Sequence, residues 1–413
     1  MASIKRINKD ANTGKIKSWT LRAYKCTQLD GKQKEYTKTF KADLSWSNSR
    51  IEKEIEKSKI LFDEEIKKGF VLDNKQTFEQ YASYVIELKE RSGTKHSTIE
   101  FYKSLLVRIN QGIGHLKLKD IKPQHLNQLY EQLQQKGLNK INDGYLSNKT
   151  IAEHHRLIHT ILRQAEKELL VEYNMASKAT PPKIFNKEAK CLEVDDVNTI
   201  LFYTKQEPLK YQVLLNLLVW SGCRRGEIVG LKWDKVDFKN NRIKIENNLL
   251  YTKARGVYNE TPKTETSKRM IDLPNEVMNL LKKYKAECSH KRLNYGTKWV
   301  NSNYVLIDEF GGNMHPDTPT NYLVKFTNRC NKKIEQENKE NHTNYKLLPR
   351  LNPHLFRHSN GSILLKMGVD IATISKHLGH AKITTTLDIY SHQLEKDKPV
   401  VSDTLSKVLL KQA

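Results

Sequence analysis

The N-terminal part of the chain alternates polar residues with residues that favour β-structure. The alternation runs through residues 18–24 (SWTLRAY) and 35–40 (EYTKTF), which flank a turn signal at Asp30-Gly31. A highly charged segment follows, in which aliphatic residues between positions 51 and 66 recur near helical spacing. This pattern predicts a three-stranded sheet and one helix, which together form a small α+β module over residues 1–72.

From residue 77 the hydrophobic period changes to that of amphipathic helices. Apolar residues recur at spacings of three and four through residues 78–88, and Thr77 precedes them as a helix cap. Residues 97–100 (STIE) fit the capping box of a second helix, and Pro123 fits the first turn of a third. A fourth amphipathic stretch follows, so residues 73–176 are predicted to form an all-α domain.

A change of pattern marks the start of the C-terminal region. Residues 177–190 lack periodicity and contain Pro181-Pro182 and several lysines, as interdomain linkers often do. Residues 191–413 are mainly helical, but 242–246 and 269–273 alternate and predict strands of a small antiparallel sheet. The polar, Lys-rich stretch between these strands is longer than a hairpin turn, and such connections usually bind something or are mobile.

Composition and charge narrow the range of functions. The 413 residues include 71 Lys and Arg against 47 Asp and Glu, a net charge of +24, which favours a polyanionic partner. Nucleic acid is the first candidate and an anionic membrane surface the second. The most apolar stretch, 211–220, is about half as long as a membrane span, and the N-terminus lacks a signal peptide's apolar segment. Five widely spaced cysteines without a CxxC pair indicate a reduced, cytoplasmic protein.

Two segments in the last half of the chain carry unusual basic residues. Arg224 lies in a short turn after an apolar helix, where Gly222 allows a sharp bend. An arginine in a short buried turn requires an anionic partner. His354 and Arg357 are three residues apart, so both can face the same spot from one helix. His380 and Tyr390 follow, and this set of residues suits the binding of a phosphate and nucleophilic attack on it.

At these residues the sequence resembles the tyrosine recombinase family, also called phage-type integrases. The family signature is an arginine in a Gly-x-Arg-x-Gly-Glu turn, a hairpin lysine, a His-x-x-Arg pair, a Leu-Gly-His and a C-terminal tyrosine. All five parts occur here in order. The resemblance implies six catalytic residues and one supporting carboxylate: Arg224, Lys263, His354, Arg357, His380 and the nucleophile Tyr390, with Glu227 behind the arginines.

The resemblance also implies a tyrosine recombinase fold with a three-part plan, as in integrases of Gram-positive conjugative transposons and temperate phages. Residues 1–72 correspond to an arm-site DNA-binding module, 73–176 to a helical, SAM-like core-binding domain, and 191–413 to the catalytic domain. The implied activity is site-specific integration and excision of a mobile element through a 3′-phosphotyrosine and a Holliday junction. The implied partner is double-stranded DNA at core and arm sites in the bacterial nucleoid. Whether an excisionase or a host DNA-bending protein takes part is left open.

Phosphoryl-transfer chemistry fits these roles. The transition state adds charge to the non-bridging oxygens, which two guanidiniums and histidine donors stabilise. A tyrosine with an ordinary pKa of about 10 must be activated, and a flexible lysine can protonate the leaving 5′-oxygen. The phosphotyrosyl bond conserves the energy of the broken strand, so ligation needs no ATP, metal or other cofactor.

Two features depart from the commonest family pattern. Arg225 doubles the arginine of the turn, so the sequence does not decide between Arg224 and Arg225 beyond the motif match. Asn174-Met175 replaces the Asn-Pro that often closes a core-binding domain.

Basic residues in the N-terminal module point to a DNA contact. Residues 1–50 contain 12 Lys and Arg against 4 Asp and Glu. We expect Arg22, Lys25, Lys34 and Lys38 to form one sheet face that binds duplex DNA.

Apolar residues at the end of the chain predict an assembly element. Val401, Leu405 and Val408 recur at spacings of four and three, which predicts a short amphipathic helix over 400–410. A helix of that length must dock on a protein surface to be stable. In the family this tail is exchanged among protomers, so the resemblance implies a homotetramer on synapsed DNA.

Other functions account for fewer of these features. A type IB topoisomerase would share the pocket but would act as a monomer without an arm-site module. An inactive DNA-binding regulator would lack part of the catalytic set, and nothing in the sequence indicates the 2′-hydroxyl site of a ribonuclease. His377 with His380 and His155 with His159 are weak metal pairs, because no third ligand or HExxH motif accompanies them.

Overall fold

The computed structural model describes residues 3–9, 16–27, 33–43, 45–67, 76–139, 143–185, 191–260, 268–387 and 390. The chain divides into two compact units, Met1–Asn186 and Lys187–Ala413. The division falls inside the segment 177–190 that the sequence predicts as a linker. The predicted C-terminal helix over 400–410 lies outside the described residues.

The first unit begins with an antiparallel sheet in the order β1-β2-β3, formed by β1 (Ser3–Lys9), β2 (Ile16–Thr27) and β3 (Gln33–Lys41). Helix α1 (Asn48–Lys67) follows it. Strand β2 alternates, so every second side chain is directed to the helix side. There the buried residues form two small clusters, one of Leu21, Ala23 and Phe62 and one of Trp19, Ile51 and Ile55.

The strand register contradicts the prediction that Arg22 and Lys38 share one sheet face. Lys38 is paired with Leu21 and its Nζ lies 5.9 Å from the centre of the Phe62 ring, on the helix side. Arg22, one residue further along β2, is directed to the opposite face, where it forms an ion pair of 3.3 Å with Glu35. The sequence pattern shows which residues are in strands but not how the two strands are aligned. Lys25 is paired with Lys34, and the side chains of these two lie outside the described part.

The second part of this unit is helical, with α2 (Phe78–Arg91), α3 (His96–Ile109), α4 (Pro123–Leu133) and α5 (Asn148–Lys167) around one apolar core. Thr77 caps α2 in a capping box, as predicted, and Pro123 opens α4. The predicted capping box at 97–100 is wrong. Helix α3 begins at His96, one residue before the predicted cap, so Ser97 already lies inside its first turn.

The two histidines of α5 that resemble a metal pair contact other protein groups. His155 Nδ1 lies 2.8 Å from the Tyr130 hydroxyl, and His159 Nε2 lies 3.2 Å from Ser177 Oγ. Within the described residues, no cluster of three His, Cys, Asp or Glu side chains could hold a metal ion. These two histidines therefore pack against the neighbouring side chains of Tyr130 and Ser177.

The second unit contains seven α-helices within the described residues. They are α6 (Val194–Thr204), α7 (Leu209–Ser221), α8 (Arg225–Val229), α9 (Asn275–Tyr295), α10 (Thr318–Glu340), α11 (Pro353–Lys366) and α12 (Ile371–Leu378). Helix α7 packs against four of the others, α6, α8, α9 and α11. Helix α7 is mainly apolar, and its residues from Val213 to Leu218 lie mostly inside the core. None of the helices in the described ranges combines the length and hydropathy that a membrane span requires.

The second unit also contains two small sheets. The predicted strands pair in register as β5 (Arg242–Ile245) and β8 (Arg269–Asp272), with β4 (Val236–Asp237) on the other side of β5. The connection between them is more structured than its polar sequence indicates. It contains a second hairpin, β6 (Asn248–Thr252) and β7 (Gly256–Glu260), whose residues lack a regular hydrophobic alternation.

Candidate active site

Arg224 is fixed by the turn between α7 and α8. Gly222 ends α7 in the left-handed conformation (φ +56°), and Arg224 then occupies the position that caps α8. The Arg224 guanidinium donates from Nη1 to Glu227 Oε1 at 2.8 Å and from Nη2 to the Gly379 carbonyl at 3.2 Å. Its backbone N–H donates to Glu227 Oε2 at 2.9 Å. The side chain is 38% exposed, so it remains accessible to a ligand.

Close packing holds α8 against the inserted hairpin. A Cβ at Gly226 would collide with Asn248 Oδ1 and would lie 2.7 Å from the Leu249 carbonyl oxygen of β6. A Cβ at Gly230, one helical turn later, would lie 3.2 Å from the Leu249 nitrogen. Strand β6 therefore approaches α8 at a distance that only glycine permits at position 226.

The second arginine of the turn is directed elsewhere. Arg225 Nη1 donates to Asp317 Oδ1 at 2.7 Å, near the start of α10, and lies 3.4 Å from Thr320 Oγ1. Only Arg224 of the two contacts Glu227 and the turn that carries His380. The structure thus favours Arg224 over Arg225 as the ligand-facing arginine.

Arg357 is a buried cation with an unused donor. The residue is 3% exposed, and its Nη1 donates to the Gly222 carbonyl at 3.0 Å. Its Nη2 is buried and has no hydrogen-bond partner among the described residues. Burial and then the neighbouring Arg224 charge lower the pKa of Arg357 to about 10. A buried cation with a free donor indicates a place for an anion.

His354 lies in the first turn of the helix that also carries Arg357. Asn352 caps this helix by accepting from the Leu355 N–H at 3.0 Å, and His354 lies exposed in its first turn. Partial desolvation lowers the pKa of His354, and the Arg357, Arg224 and Arg225 charges lower it further. The pKa of His358, one turn later, is lowered by burial and by its neighbours His354 and Arg357. Both shifts favour the neutral form of the imidazole.

His380 follows the glycine that ends α12. Gly379 is left-handed (φ +68°), the His380 N–H donates to the Ser375 carbonyl at 3.0 Å, and His380 Nδ1 lies 2.8 Å from the buried Thr386 hydroxyl. This contact occupies Nδ1 and leaves Nε2 for another partner. Burial lowers the pKa of His380 to about 4, with help from the Arg357 and Arg224 charges. His377, by contrast, lies 3.1 Å from Asn360 Oδ1.

Tyr390 is docked on α11. It is 2% exposed, packs with Ile374 and Leu378, and donates from its hydroxyl to the His358 carbonyl at 3.1 Å. A Cβ at position 361 would collide with the hydroxyl oxygen, so Gly361 provides the space that the hydroxyl fills. Burial raises the pKa of Tyr390 to about 12, with a contribution from Cys191, although Arg357 acts in the opposite direction.

Glu227 is buried between two arginines. It is 5% exposed, and its Oε2 accepts from Arg269 Nη2 at 2.8 Å in addition to the contacts with Arg224. Burial opposes its ionisation, but the Arg269 and Arg224 charges outweigh burial and lower the pKa of Glu227 to about 2. Sequence reasoning missed Arg269, because an arginine at the start of a short alternating strand carries no signal of its own. Lys263 lies outside the described residues.

The electrostatic effects show which predicted residues the fold brings together. Arg224 and Arg357 each lower the pKa of His354 and of His380. These four residues come from three separate segments of the sequence, so their proximity is a product of the fold. Tyr390 contacts the same helix as Arg357, and the Arg357 charge partly offsets the rise in the pKa of Tyr390.

Comparison with known proteins agrees with this architecture. Residues 190–397 match the Phage integrase family, and residues 77–180 match the Phage integrase SAM-like domain. The chain is 24% identical to a "Tyrosine recombinase XerC-like" of Caldanaerobacter subterraneus over 73% of this chain and 75% of that protein. It is 22% identical to the ICEBs1 integrase of Bacillus subtilis over 82% of this chain and 80% of that protein.

The fold is also that of a solved integrase. The structure of the Tn1549 transposon integrase (residues 82–397) in complex with transposon right-end DNA matches with a TM-score of 0.61 at 21% identity. It covers 78% of this chain and 99% of that chain. The predicted family and fold class are confirmed: the chain belongs to the phage integrase family and is a tyrosine recombinase.

Proposed function

We propose that this protein is the integrase of a mobile genetic element and that it cuts and rejoins DNA strands through a 3′-phosphotyrosine on Tyr390. The observation that carries this proposal is the buried Arg357 Nη2, which lacks a partner among the described residues and lies beside Arg224 and His380. A phosphodiester has the charge and the oxygen acceptors that such a cluster needs. The resemblance to the ICEBs1 and Tn1549 integrases supports the choice of a mobile element.

The arginines and histidines of the pocket make different contacts with the phosphate. Arg224, supported by Glu227, and Arg357 bind the non-bridging oxygens, and neutral His354 and His380 donate hydrogen bonds to the same phosphate. Charge on these oxygens grows as the nucleophile approaches, so donors that are already in place lower the barrier more than they favour the ground state.

The covalent step exchanges one phosphoester for another. The Tyr390 oxygen attacks phosphorus, its proton passes to solvent water, and the bond from phosphorus to the 5′-oxygen of the next nucleotide breaks. The 5′-oxygen takes a proton, which we assign to Lys263. Ligation reverses these steps with the 5′-hydroxyl of a partner strand. Because a pKa of about 12 makes docked Tyr390 a poor nucleophile, the hydroxyl must leave the His358 carbonyl and enter the cationic pocket.

The domain assignment follows the same proposal. Residues 1–72 bind arm sites through Arg22 and neighbouring basic residues, and 73–176 bind the core site, which the SAM-like match over 77–180 supports. Residues 177–190 form the linker, and 191–413 contain the catalytic residues. Double-stranded DNA is the partner, in keeping with the charge of +24. Residues 400–410 dock on a neighbouring protomer in a homotetramer on synapsed DNA, in the bacterial cytoplasm.

A covalent trapping experiment tests the function. The protein is incubated with a nicked duplex that carries the element end, in which a short 5′ fragment diffuses away after cleavage. We expect a DNA adduct that maps to Tyr390, and no adduct with Tyr390→Phe, which should bind DNA normally because no charge is removed. Tyr203→Phe is the matched control, since it removes the hydroxyl of another buried tyrosine. An adduct that persists in Tyr390→Phe contradicts the proposal.

A further inference from the structure

Arg269, the first residue of β8, lies where several parts of the active site meet. Its side chain is 7% exposed and donates from Nε to the His377 carbonyl at 2.7 Å. Its Nη2 donates to Glu227 Oε2 at 2.8 Å and lies 3.2 Å from the buried Cys223 sulfur. One buried guanidinium therefore joins the α7–α8 turn to the end of α12.

The same guanidinium packs against the turn that carries His380. A Cβ at Gly379 would lie 2.7 Å from Arg269 Nη1 and 3.0 Å from its Cζ, so the planar group lies against the peptide that precedes His380. Arg224 donates to the Gly379 carbonyl in the same turn. The turn is thus held by both arginines, and both arginines are held by Glu227.

Stability alone is a weak reason for this arrangement. A buried ion pair costs desolvation, and well-packed apolar residues often serve a core equally well. A planar guanidinium with three fixed contacts does what an apolar side chain cannot do, because it sets distances and angles between the groups it bonds.

We propose that Arg269 is a positioning residue of the recombination reaction: it fixes Arg224, through Glu227, and His380, through the His377–Gly379 backbone, in the arrangement that the phosphate requires. The inference rests on the proposed function. Because Arg269 is buried behind these residues, it acts through them and does not touch DNA. Misplacement of a catalytic group by about 1 Å can cost about a hundredfold in rate.

The first test replaces Arg269 with Met, which keeps the length of the side chain and removes the charge. Single-turnover cleavage of the nicked element-end duplex should fall about a hundredfold, whereas binding of the same duplex should remain unchanged. Arg242→Met is the matched control: Arg242 lies on the neighbouring strand β5 and also pairs with a carboxylate, that of Asp272. It should cleave at the wild-type rate.

The pH profile of cleavage separates positioning from a general loss of structure. Arg269 helps to hold the pKa of Glu227 at about 2. Without Arg269 this pKa rises. As the pH is lowered, the cleavage rate of Arg269→Met should therefore begin to fall at a higher pH than the rate of the wild type. Arg269→Lys keeps one cation near Glu227 but not the fork of contacts. Its cleavage rate should fall at the same acidic pH as that of the wild type, but it should recover only part of the wild-type cleavage rate.

The outcomes distinguish this inference from the proposed function. If the wild type forms no adduct on Tyr390, the proposed function fails. If the wild type forms the adduct and folded Arg269→Met cleaves at the same rate, only the positioning role fails. If Arg269→Met does not fold, Arg269→Lys decides: a folded Lys variant with the wild-type rate overturns the role. An activity loss that only follows the folded fraction, with an unchanged pH profile, also overturns it.

Discussion

The arginine pocket and Tyr390, the proposed nucleophile, are held in different ways. Arg224 has contacts with Glu227 and Gly379, and Glu227 is held in turn by Arg269, next to Cys223 and Ile228 of the large core of the second unit. Tyr390 belongs to a small separate cluster, and among the described residues its hydroxyl has one hydrogen bond, to the His358 main-chain carbonyl. Under the proposed function, this difference means that the phosphate-binding groups are assembled before DNA binds, whereas Tyr390 has to move.

The largest expected effects come from the pocket itself. Arg224→Ala and Arg357→Ala should each lower single-turnover cleavage by about 10²–10³, which corresponds to about 2.7–4 kcal/mol for one lost transition-state donor. Arg225→Ala should have a much smaller effect, because Arg225 pairs with Asp317. Quenched-flow cleavage of the nicked duplex measures all three. If Arg225→Ala proves more harmful than Arg224→Ala, the assignment of the two arginines is reversed.

The docking of the nucleophile is tested by adding one methyl group. In Gly361→Ala the new Cβ displaces the Tyr390 hydroxyl from the His358 carbonyl. Exposure should lower the pKa of Tyr390 from about 12 towards its ordinary value and speed the first turnover severalfold. Overpacking should cost about 1–3 kcal/mol of unfolding free energy.

The double variant Gly361→Ala/Tyr390→Phe controls for the steric effect. It lacks the oxygen with which the new methyl group collides, so part of the lost stability should return. Cleavage by Gly361→Ala with an unchanged rate and an unchanged dependence on alkaline pH would show that the docked position does not limit the reaction.

The half-buried His380 should make stability depend on pH. The pKa of His380 is about 4 in the folded protein, below its ordinary value near 6.5, so the unfolded chain binds more protons between these values. Its contribution to stability is complete above pH 6.5 and is lost as the pH falls towards 4. Between pH 7 and pH 5 the wild type should lose about 1 kcal/mol more than His380→Gln, after an allowance for partial solvation. Urea unfolding at both pH values measures this difference.

The smallest effect concerns the two faces of the N-terminal sheet. Arg22 lies on the face opposite α1, whereas Lys38 lies over Phe62 on the helix side. If the open face contacts DNA, Arg22→Ala should remove about one phosphate contact. The slope of the logarithm of the arm-site binding constant against the logarithm of salt concentration should then become smaller by about one, and Lys38→Ala should leave it unchanged. Binding titrations of the full chain at several salt concentrations decide between them. Equal effects of the two substitutions would mean that both faces contribute.

Local sequence signals predicted the local structure around the candidate site residues, which depends on spacing along the chain. The Arg224 turn, the His354–Arg357 pair and His380 lie in short motifs, and each is found where the motif indicates. Thr77 and Pro123 likewise act within one helical turn. Residues 97–100 show the limit of such signals, since the helix starts one residue before the expected cap.

Features that depend on distant contacts could not be predicted in this way. Arg225 is set apart from Arg224 by Asp317, which lies 92 residues away. Arg269 has its proposed role because β8 brings it beside Glu227 and His377. No local sequence pattern predicts these contacts. The faces of Arg22 and Lys38 depend on strand register, which a shift of one residue would reverse.

The tight fit of Gly226 against β6 has a consequence for engineering. A hairpin inserted in a catalytic domain looks like a part that could be exchanged between relatives to change target choice. Here the hairpin and the arginine turn are complementary surfaces, because Asn248 and Leu249 occupy the space that a side chain at position 226 would fill. Hairpin grafts should therefore succeed when the donor's own 225–230 segment is transferred with the strands, so that this interface is inherited as a single block.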